Sequence, residues 1–529
     1  IYDRHGEIIA ENVPGYSVSI LSPSADSLRA SLRRLGALVQ LTPDQIESSV
    51  RRFSRAPTRP TVVLSDAPFD VVSVLEEHRV EFPGLIIQSA PKRYYPHGGA
   101  VAAFAGYVGE ITEGELAAPR YQGYKAGEQI GKGGLEKQYE SRLRGREGIR
   151  FVEVDARGRV VREAGARQDL LPRAAEPLFT NIDLDLQRFV AELFGDSLQG
   201  GVIALEPHSG EVLALYSAPS YDPNRFIGGI PADYWRELNT DPRRPLYNKA
   251  IQGRYPPAST FKLATSAIAL QEGVVGLDDR MPVPCTGGYL FGSRYFRCWE
   301  KRGHGDISLA RAIEVSCDVY FYQLGLKLGL SRLIAGGVSL AFRERTGIDL
   351  PDEAMPRWPY ALDYYDRRYG PRGWTNAVTL NLAIGQGEND QTVVNMARFY
   401  TALATDGMAA RPEIVKHSPV RTRVIQLSDE QMLGLRRAMA GVVSGRGTAG
   451  SAQIRGVVLA GKTGTAQNPH DRSRDHAWFV GFAPADDPKI VVSVMLEFGE
   501  HGYLAARVAS KIIEHYLKVT PTQLLTTEG

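Results

Sequence analysis

In the first third of the chain, short runs of alternating apolar and polar residues are interspersed with helical stretches. Residues 1–10 predict a hairpin, with a strand edge on each side of a turn at His5 and Gly6, and residues 152–161 repeat that pattern. A polar stretch at residues 167–177 is typical of a linker. We therefore expect one domain over residues 1–175 and a second over residues 176–529.

The second domain begins and ends with strand patterns and has helical periodicity between them. Asp183 precedes apolar residues at helical spacing and predicts a capped helix, and residues 201–216 predict a hairpin. Helical periodicity dominates from residue 259 to about residue 407. Strand-like runs and a final amphipathic helix follow at residues 457–460, 477–482, 490–496 and 505–517. Strands from both ends that pair into one antiparallel sheet predict an α+β domain.

Composition and charge narrow the class of protein. The 529-residue chain has 62 Lys and Arg against 60 Asp and Glu, a net charge of +2. Nothing in this balance favours nucleic acid as a partner, and no block of like charges indicates an interaction tail. The given sequence has no run of apolar residues long enough to predict a membrane span. Because the sequence starts at Ile1 rather than at methionine, we expect a leader or anchor segment before it.

The most informative motif is Ser-Thr-Phe-Lys at residues 259–262. Two prolines precede it and an apolar run follows it, which predicts that the motif opens a helix with Ser259 and Lys262 on one face. A serine hydroxyl needs a neighbouring base to act as a nucleophile, and a lysine whose pKa is lowered by burial suits that role. The N–H groups of the helix N-terminus suit an oxyanion.

Two further motifs follow in the order typical of serine acyl-transferases that act on penicillin-like substrates. They are Ser-Cys-Asp at residues 316–318 and Lys-Thr-Gly at residues 462–464. Each motif alone has an ordinary structural explanation: a solvated helix turn, a serine bonded to its own helix, or a strand-to-turn boundary. Their joint occurrence in this order favours catalysis through a covalent serine intermediate.

The chain resembles the class B penicillin-binding proteins, most closely the elongation-type penicillin-binding protein 2 group, over nearly its whole length. The residues that carry the resemblance are 1–6, 133–140, 143–145, 257–262, 316–318, 385–388, 461–467 and 476–484. The resemblance implies a transpeptidase domain of the serine β-lactamase-like fold, with an antiparallel sheet and a helical subdomain, preceded by a non-catalytic pedestal domain of the dimerisation type. Asp318 departs from the Asn of most relatives, although an acid is familiar in elongation-type members, and whether it accepts or donates a hydrogen bond stays open.

That family resemblance implies a peptidoglycan D,D-transpeptidase that cross-links stem peptides during cell elongation through an acyl-enzyme and is inhibited by β-lactams. The catalytic residues carried over are Ser259, Lys262, Ser316, Asp318 and Lys462, and the substrate-binding residues are Thr463, Gly464 and Thr465. Ser259 would be the nucleophile, Lys262 its base and Ser316 a proton relay. Gly464 would let its strand approach the active-site helix closely.

The resemblance also implies partners and a location. The expected ligands are stem peptides on lipid-linked or nascent glycan strands and β-lactam inhibitors. The expected protein partner is the SEDS glycosyltransferase of the rod system, RodA, contacted largely through the pedestal and a membrane helix. The expected location is the periplasmic face of the bacterial inner membrane, with a single N-terminal anchor.

All three cysteines lie between the first and second motifs or within the second. Cys285, Cys298 and Cys317, together with His304, could form a Cys₃His zinc site, although their spacings are wide and no C-x-x-C pair is present. Such a zinc would be structural, because four protein ligands leave no open position, and catalysis itself would need no cofactor. The alternatives are a Cys285–Cys298 disulfide with Cys317 buried, and a His304 that caps the helix starting near residue 308.

Other activities fit parts of the same pattern. A class A β-lactamase needs a glutamate on the loop after the second motif, and no convincing E-x-x-x-N follows it here. A D-alanyl-D-alanine carboxypeptidase, in which water replaces the acceptor amine, stays open. So does a non-enzymatic role as a β-lactam receptor or as a scaffold for the SEDS partner.

Overall fold

The computed structural model describes residues 1–55, 57, 60–146, 148–149, 151–154, 160–163, 169–468 and 474–518. The chain forms two compact units. Unit 1 comprises Ile1–Tyr2, Gly6–Leu178 and Tyr221–Thr240, and unit 2 comprises Asp3–His5, Phe179–Ser220 and the chain from Asp241 onward. The two units do not separate at a single point in the sequence, since Tyr221–Thr240 belongs to unit 1. The domain boundary between residues 175 and 176 therefore stays a prediction.

Strands occur in both units of the described chain. In chain order they are β1 (Glu11–Ile20), β2 (Thr61–Leu64), β3 (Leu85–Tyr94), β4 (Val108–Glu110), β5 (Gln129–Gly131), β6 (Val152–Val154), β7 (Val160–Glu163), β8 (Gly200–Leu205), β9 (Val212–Ala218), β10 (Gly288–Phe291), β11 (Arg294–Arg297), β12 (Met408–Ala410), β13 (Arg421–Arg423), β14 (Ala460–Ala466), β15 (His476–Ala483) and β16 (Ile490–Leu496).

The helices are longest in unit 2. In chain order the α-helices are α1 (Ala25–Val39), α2 (Pro43–Arg55), α3 (Phe69–Glu77), α4 (Ala102–Ala105), α5 (Glu113–Leu116), α6 (Gly134–Gln138), α7 (Glu140–Leu143), α8 (Leu184–Phe194), α9 (Ala232–Thr240), α10 (Lys262–Gln271), α11 (Leu309–Glu314), α12 (Asp318–Leu328), α13 (Leu330–Ser339), α14 (Asp363–Tyr369), α15 (Ala377–Ala383), α16 (Val393–Ala404), α17 (Asp429–Val443) and α18 (Gly502–Leu517). No helix in the described ranges combines the length and apolar character that a membrane crossing requires.

Unit 1 contains a three-stranded antiparallel sheet in the order β2-β1-β3. Helix α1 is capped by Ser24, whose side chain accepts the N–H of Ser27, and its buried residues Leu28, Leu32 and Leu35 recur at helical spacing. These leucines join the core that the sheet also lines. The predicted pairing within residues 152–161 is present as β6 and β7, while its turn lies outside the described residues.

Unit 2 is built on a five-stranded antiparallel sheet in the order β14-β15-β16-β8-β9. Strands β8 and β9 come from the start of the unit and the other three from its end, so the predicted α+β architecture is confirmed. Helices α8 and α18 pack on the sheet and on each other, and α16 packs on β8, β15 and β16. Every residue of β15 and β16 is buried, because helices cover the sheet.

The third-motif strand differs in extent from the sequence prediction. Residues 457–460 were expected to form the strand, but β14 runs from Ala460 to Ala466 and contains the whole motif. Val457 instead makes an isolated bridge to Ile454. The prediction placed the strand too early because β-branched residues precede the motif. Pairing with β15 determines which residues form the strand, and two of these residues are glycines.

Candidate active site

The first three residues of the first motif lie in a 3₁₀ turn, Ala258–Phe261, and its last residue, Lys262, begins α10. This start is three residues later than predicted. Ala258 has a φ of 49°, and its N–H donates to the carbonyl of Gly385 at 3.0 Å, so a contact distant in sequence sets the turn. Residues three apart align in a 3₁₀ turn, so the predicted common face is retained. Ser259 is partly exposed, whereas Lys262 is completely buried.

The second motif surrounds the amine of Lys262. Its Nζ donates to Oγ of Ser316 at 3.2 Å, to the Ser316 carbonyl oxygen at 2.9 Å and to Oδ1 of Asp318 at 2.8 Å. Asp318 is the first residue of α12, and its other oxygen, Oδ2, accepts the backbone N–H of Trp299 at 3.1 Å. Both oxygens of Asp318 therefore accept hydrogen bonds. In this geometry Asp318 is the acceptor in both bonds.

The third motif places a second buried lysine beside the first. Lys462 is fully buried on β14, and its Nζ donates to the Thr463 carbonyl at 3.1 Å. Burial, and next the positive charge of Lys262, hold the pKa of Lys462 well below its usual range, while Asp318 acts in the opposite direction. Two amines thus share one carboxylate, an arrangement that favours a neutral amine in the cluster.

Residues 463–465 lie on β14, which is the edge strand of the sheet. The hydroxyl of Thr463 bonds that of Thr448 at 2.6 Å, and Thr465 Oγ1 accepts the N–H of Gly502 at 3.4 Å. A Cβ added at Gly464 would lie 3.0 Å from the carbonyl oxygen of Pro257, so β14 passes very close to the first motif. An edge strand can bind an extended peptide as an added strand.

Two residues at this site were missed by the sequence analysis. Trp299 donates its backbone N–H to Asp318, and Thr448 donates to or accepts from Thr463. Neither belongs to one of the three motifs. Trp299 directly follows Cys298 in sequence, which was the only signal that could have drawn attention to it.

The Cys/His cluster comes together next to the second motif. The ligand atoms of Cys285, Cys298, His304 and Cys317 all lie within 4.8 Å of one another. The Sγ atoms of Cys285 and Cys298 lie 3.7 and 3.6 Å from Nδ1 of His304. The hydrogen bond between Cys298 and Cys317 lowers the pKa of the Cys298 thiol and raises that of Cys317, so the two sulfurs share one proton. Three sulfurs and one imidazole are the donor set of a structural zinc site.

The two alternatives for these residues are wrong. All three cysteines are free and buried, so no Cys285–Cys298 disulfide forms. His304 does not cap the following helix, because Ser308 caps α11 with its own side chain, which accepts the N–H of Arg311. The antiparallel bridge between Cys285 and Gly305 instead holds His304 beside the cysteines.

Two family models match the chain. One is the penicillin-binding protein transpeptidase domain, over residues 200–514, and the other is the penicillin-binding protein dimerisation domain, over residues 1–170. The first match covers more than half of the chain. The chain belongs to the penicillin-binding protein transpeptidase family. The fold and the enzyme class predicted from the sequence are thereby confirmed.

Relatives within this family agree with the resemblance to the penicillin-binding protein 2 group. The peptidoglycan D,D-transpeptidase MrdA of Acinetobacter baumannii is 32% identical over 98% of this chain and 80% of its own length. The protein of the same name from Escherichia coli K12 is 30% identical, with 98% and 86% covered. Among solved structures, penicillin-binding protein 2 of Helicobacter pylori in complex with MreC has a TM-score of 0.87 at 27% identity, covering 98% of this chain and 97% of its own. The predicted resemblance is confirmed.

Proposed function

We propose that this chain is a peptidoglycan D,D-transpeptidase that acts through an acyl-enzyme on Ser259. The observation that carries the proposal is the position of Lys262. Its fully buried amine donates hydrogen bonds to Ser316 and Asp318. Lys262 also follows the partly exposed Ser259 by three residues, so the 3₁₀ turn directs the two side chains to the same face. The proposed domain organisation is a pedestal over residues 1–175 and a transpeptidase domain over residues 176–529.

In the first step Ser259 Oγ attacks the carbonyl carbon between the two terminal D-alanines of a donor stem peptide. Lys262, as the base, takes the hydroxyl proton as the Oγ–C bond forms. The proton passes through Ser316 Oγ, 3.2 Å from Lys262 Nζ, to the leaving nitrogen as the C–N bond breaks and D-alanine departs. Asp318 orients the Lys262 amine and balances its charge when it is protonated.

In the second step the amine of another stem peptide attacks the ester carbon. Lys262 takes the proton of that amine, the C–Oγ bond breaks, and Ser259 regains its proton. The backbone N–H groups of Ser259 and Thr465 form the proposed oxyanion hole, in which the loss of one donor typically costs about 2.7–4 kcal/mol.

The substrate carboxylate is assigned to the third motif. Lys462 attracts it when its amine is protonated, and the hydroxyls of Thr463 and Thr465 supply hydrogen bonds. Gly464, by lacking a Cβ, keeps β14 within reach of the first motif. The edge position of β14 supports binding of the donor peptide as an added strand.

We further propose a structural zinc ion held by Cys285, Cys298, His304 and Cys317, with no cofactor required for the chemistry. Cys298 and Cys317 directly precede Trp299 and Asp318, which are joined by a hydrogen bond. Zinc bound by both cysteines would fix the two segments on either side of that bond. The ion would therefore hold the second motif in place.

The proposed location is the periplasmic face of the bacterial inner membrane. The proposed partner is the SEDS glycosyltransferase RodA, supported by the family resemblance of both domains. The Helicobacter pylori relative was solved as a complex with MreC, and an MreC-type protein is a second candidate partner. Co-purification of the membrane-anchored protein with either partner tests these assignments.

Intact-mass analysis after incubation with a β-lactam tests the assignment of Ser259. We expect one stable adduct per chain, absent in Ser259→Ala and retained in Ser339→Ala, a control at an exposed serine on α13. Rapid drug hydrolysis without a lasting adduct would indicate a β-lactamase. Release of D-alanine from stem peptides without cross-links would indicate a carboxypeptidase, and an adduct without any turnover of stem peptides would indicate a receptor or scaffold.

A further inference from the structure

The indole ring of Trp299 is attached to the turn that carries Ser316. Its Nε1–H donates to the carbonyl oxygen of Val315 at 3.0 Å and to that of Ser316 at 3.1 Å. The Trp299 backbone N–H also bonds Oδ2 of Asp318. A residue outside the three motifs thus contacts the second motif at two points and the residue just before that motif at a third.

The two carbonyl groups bonded by the indole belong to the two peptide planes on either side of the Ser316 Cα. Their relative orientation is set by the φ and ψ angles of Ser316, so one donor that binds both carbonyls restrains both angles. Ser316 needs that restraint, because its φ is 55°, in the left-handed region that residues other than glycine rarely adopt. The indole therefore stabilises an unfavourable backbone conformation.

The same turn positions the amine of Lys262. The Ser316 carbonyl oxygen accepts from Lys262 Nζ at 2.9 Å as well as from the Trp299 indole. The side-chain hydroxyl of Ser316 lies 3.2 Å from the same amine. Rotation of this turn would move the carbonyl and the hydroxyl together relative to Lys262.

We infer that Trp299 is a positioning residue for acylation, whose indole N–H holds the Ser316 turn so that Ser316 Oγ stays within hydrogen-bond reach of Lys262 Nζ. This inference rests on the proposed acylation of Ser259. It assigns to Trp299 no contact with the reacting atoms.

The exposure of the ring separates this role from core packing. Trp299 is 56% exposed, so replacing its ring removes little buried apolar surface. The backbone N–H that bonds Asp318 remains in any substitution at this position. The indole N–H can therefore be deleted with little other change.

The test is the saturating rate of acylation by a β-lactam, measured by stopped-flow together with the final adduct stoichiometry and the melting temperature. Trp299→Phe removes the donor, and Trp235→Phe is the matched control at another exposed tryptophan, in unit 1. We expect Trp299→Phe to acylate about fivefold more slowly, with unchanged affinity in the pre-covalent complex and one adduct per chain at completion. Fivefold corresponds to about 1 kcal/mol at about 1.36 kcal/mol per tenfold change, the net value of one hydrogen bond.

A second variant covers the case in which Trp299→Phe folds poorly. Benzothienylalanine at position 299 keeps the size of the ring and replaces only the N–H by sulfur, and the same slowing is expected. A saturating rate within twofold of the Trp235→Phe rate, or a loss of adduct stoichiometry with an unchanged rate, would overturn the inference. If the unsubstituted protein forms no adduct, the proposed function fails instead.

Discussion

Lys262 and Asp318 form a buried ion pair, with Nζ and Oδ1 2.8 Å apart, that joins the first motif to the second. The lysine side chain is fully buried and the aspartate side chain is 13% exposed. Lys462 adds a second amine whose nearby counter-charge is the same carboxylate. The three motifs are therefore linked electrostatically through Asp318.

We expect Asp318→Ala to destabilise the fold by about 3–5 kcal/mol, because it leaves a buried lysine without its partner. The control is Asp306→Ala, which breaks an exposed pair with Arg280 and should cost about 0–1 kcal/mol. Urea unfolding at neutral pH measures both values. Similar losses in the two variants would show that the Lys262–Asp318 pair is well solvated, contrary to the structure.

Burial of Lys462 makes stability depend on pH. Its pKa is lowered by folding, so between the folded pKa and about 10.5 the unfolded state binds more protons and stability rises with pH. Lys462→Met abolishes this contribution. We expect the variant to be more stable than the unsubstituted protein, with the largest difference at neutral pH. This difference in the free energy of unfolding should shrink by up to about 1.4 kcal/mol per pH unit as the pH rises toward 10.5. The measurement is the free energy of unfolding of both proteins between pH 7 and 10.5, with Lys489→Met, at an exposed lysine, as the control. A difference that stays constant with pH would contradict a lowered pKa for Lys462.

The close approach of β14 to the first motif predicts a strong effect of a single methyl group. In Gly464→Ala the new Cβ would lie 3.0 Å from the Pro257 carbonyl, so the strand must shift, at a cost of about 1–3 kcal/mol. We expect lower stability and slower acylation by β-lactams. Gly445→Ala is the control, because no atom lies within 4 Å of the position that its new methyl group would take. Equal acylation rates in the two variants would mean that β14 can accommodate the extra methyl group without moving away from the first motif.

The hydroxyl pair of Thr448 and Thr463 predicts a graded series. Thr448→Val removes the hydroxyl that bonds Thr463 at 2.6 Å, and a hydrogen bond of this kind is worth about 0.5–1.5 kcal/mol. We expect acylation by β-lactams to slow severalfold in Thr448→Val and to recover in Thr448→Ser, which keeps the hydroxyl. Failure of the serine variant to recover the rate would assign the effect to the methyl group rather than to the hydrogen bond.

The motifs, their order and the α+β class could be predicted from the sequence because each depends on residues close together in the chain. The capped helix at Asp183 and the hairpin of β8 and β9 follow from local capping and alternation. The start of α10 could not be predicted in this way, since the turn at Ala258 depends on a bond to Gly385, more than 120 residues away.

The parts of the site that the sequence missed all depend on tertiary contacts. Trp299 reaches the second motif because the chain folds back on itself between Cys285 and Cys317, through the hairpin of β10 and β11 and the bridge between Cys285 and Gly305. Thr448 reaches Thr463 from a loop that has no distinctive spacing relative to the third motif. The left-handed conformation of Ser316 is likewise unusual for serine and is fixed by its neighbours rather than by its own preference.

Removal of the proposed zinc should loosen the second motif. We expect protein purified without added zinc to contain about one zinc per chain. His304→Ala, which removes one ligand, should lower that content and slow acylation, because Cys298 and Cys317 would no longer hold Trp299 against Asp318. His208→Ala, at an exposed histidine of unit 2, is the control and should match the unsubstituted protein in both measurements. Full zinc content in His304→Ala would show that this histidine is not a zinc ligand. A normal acylation rate after complete removal of zinc by a chelator would show that the second motif keeps its geometry without the metal.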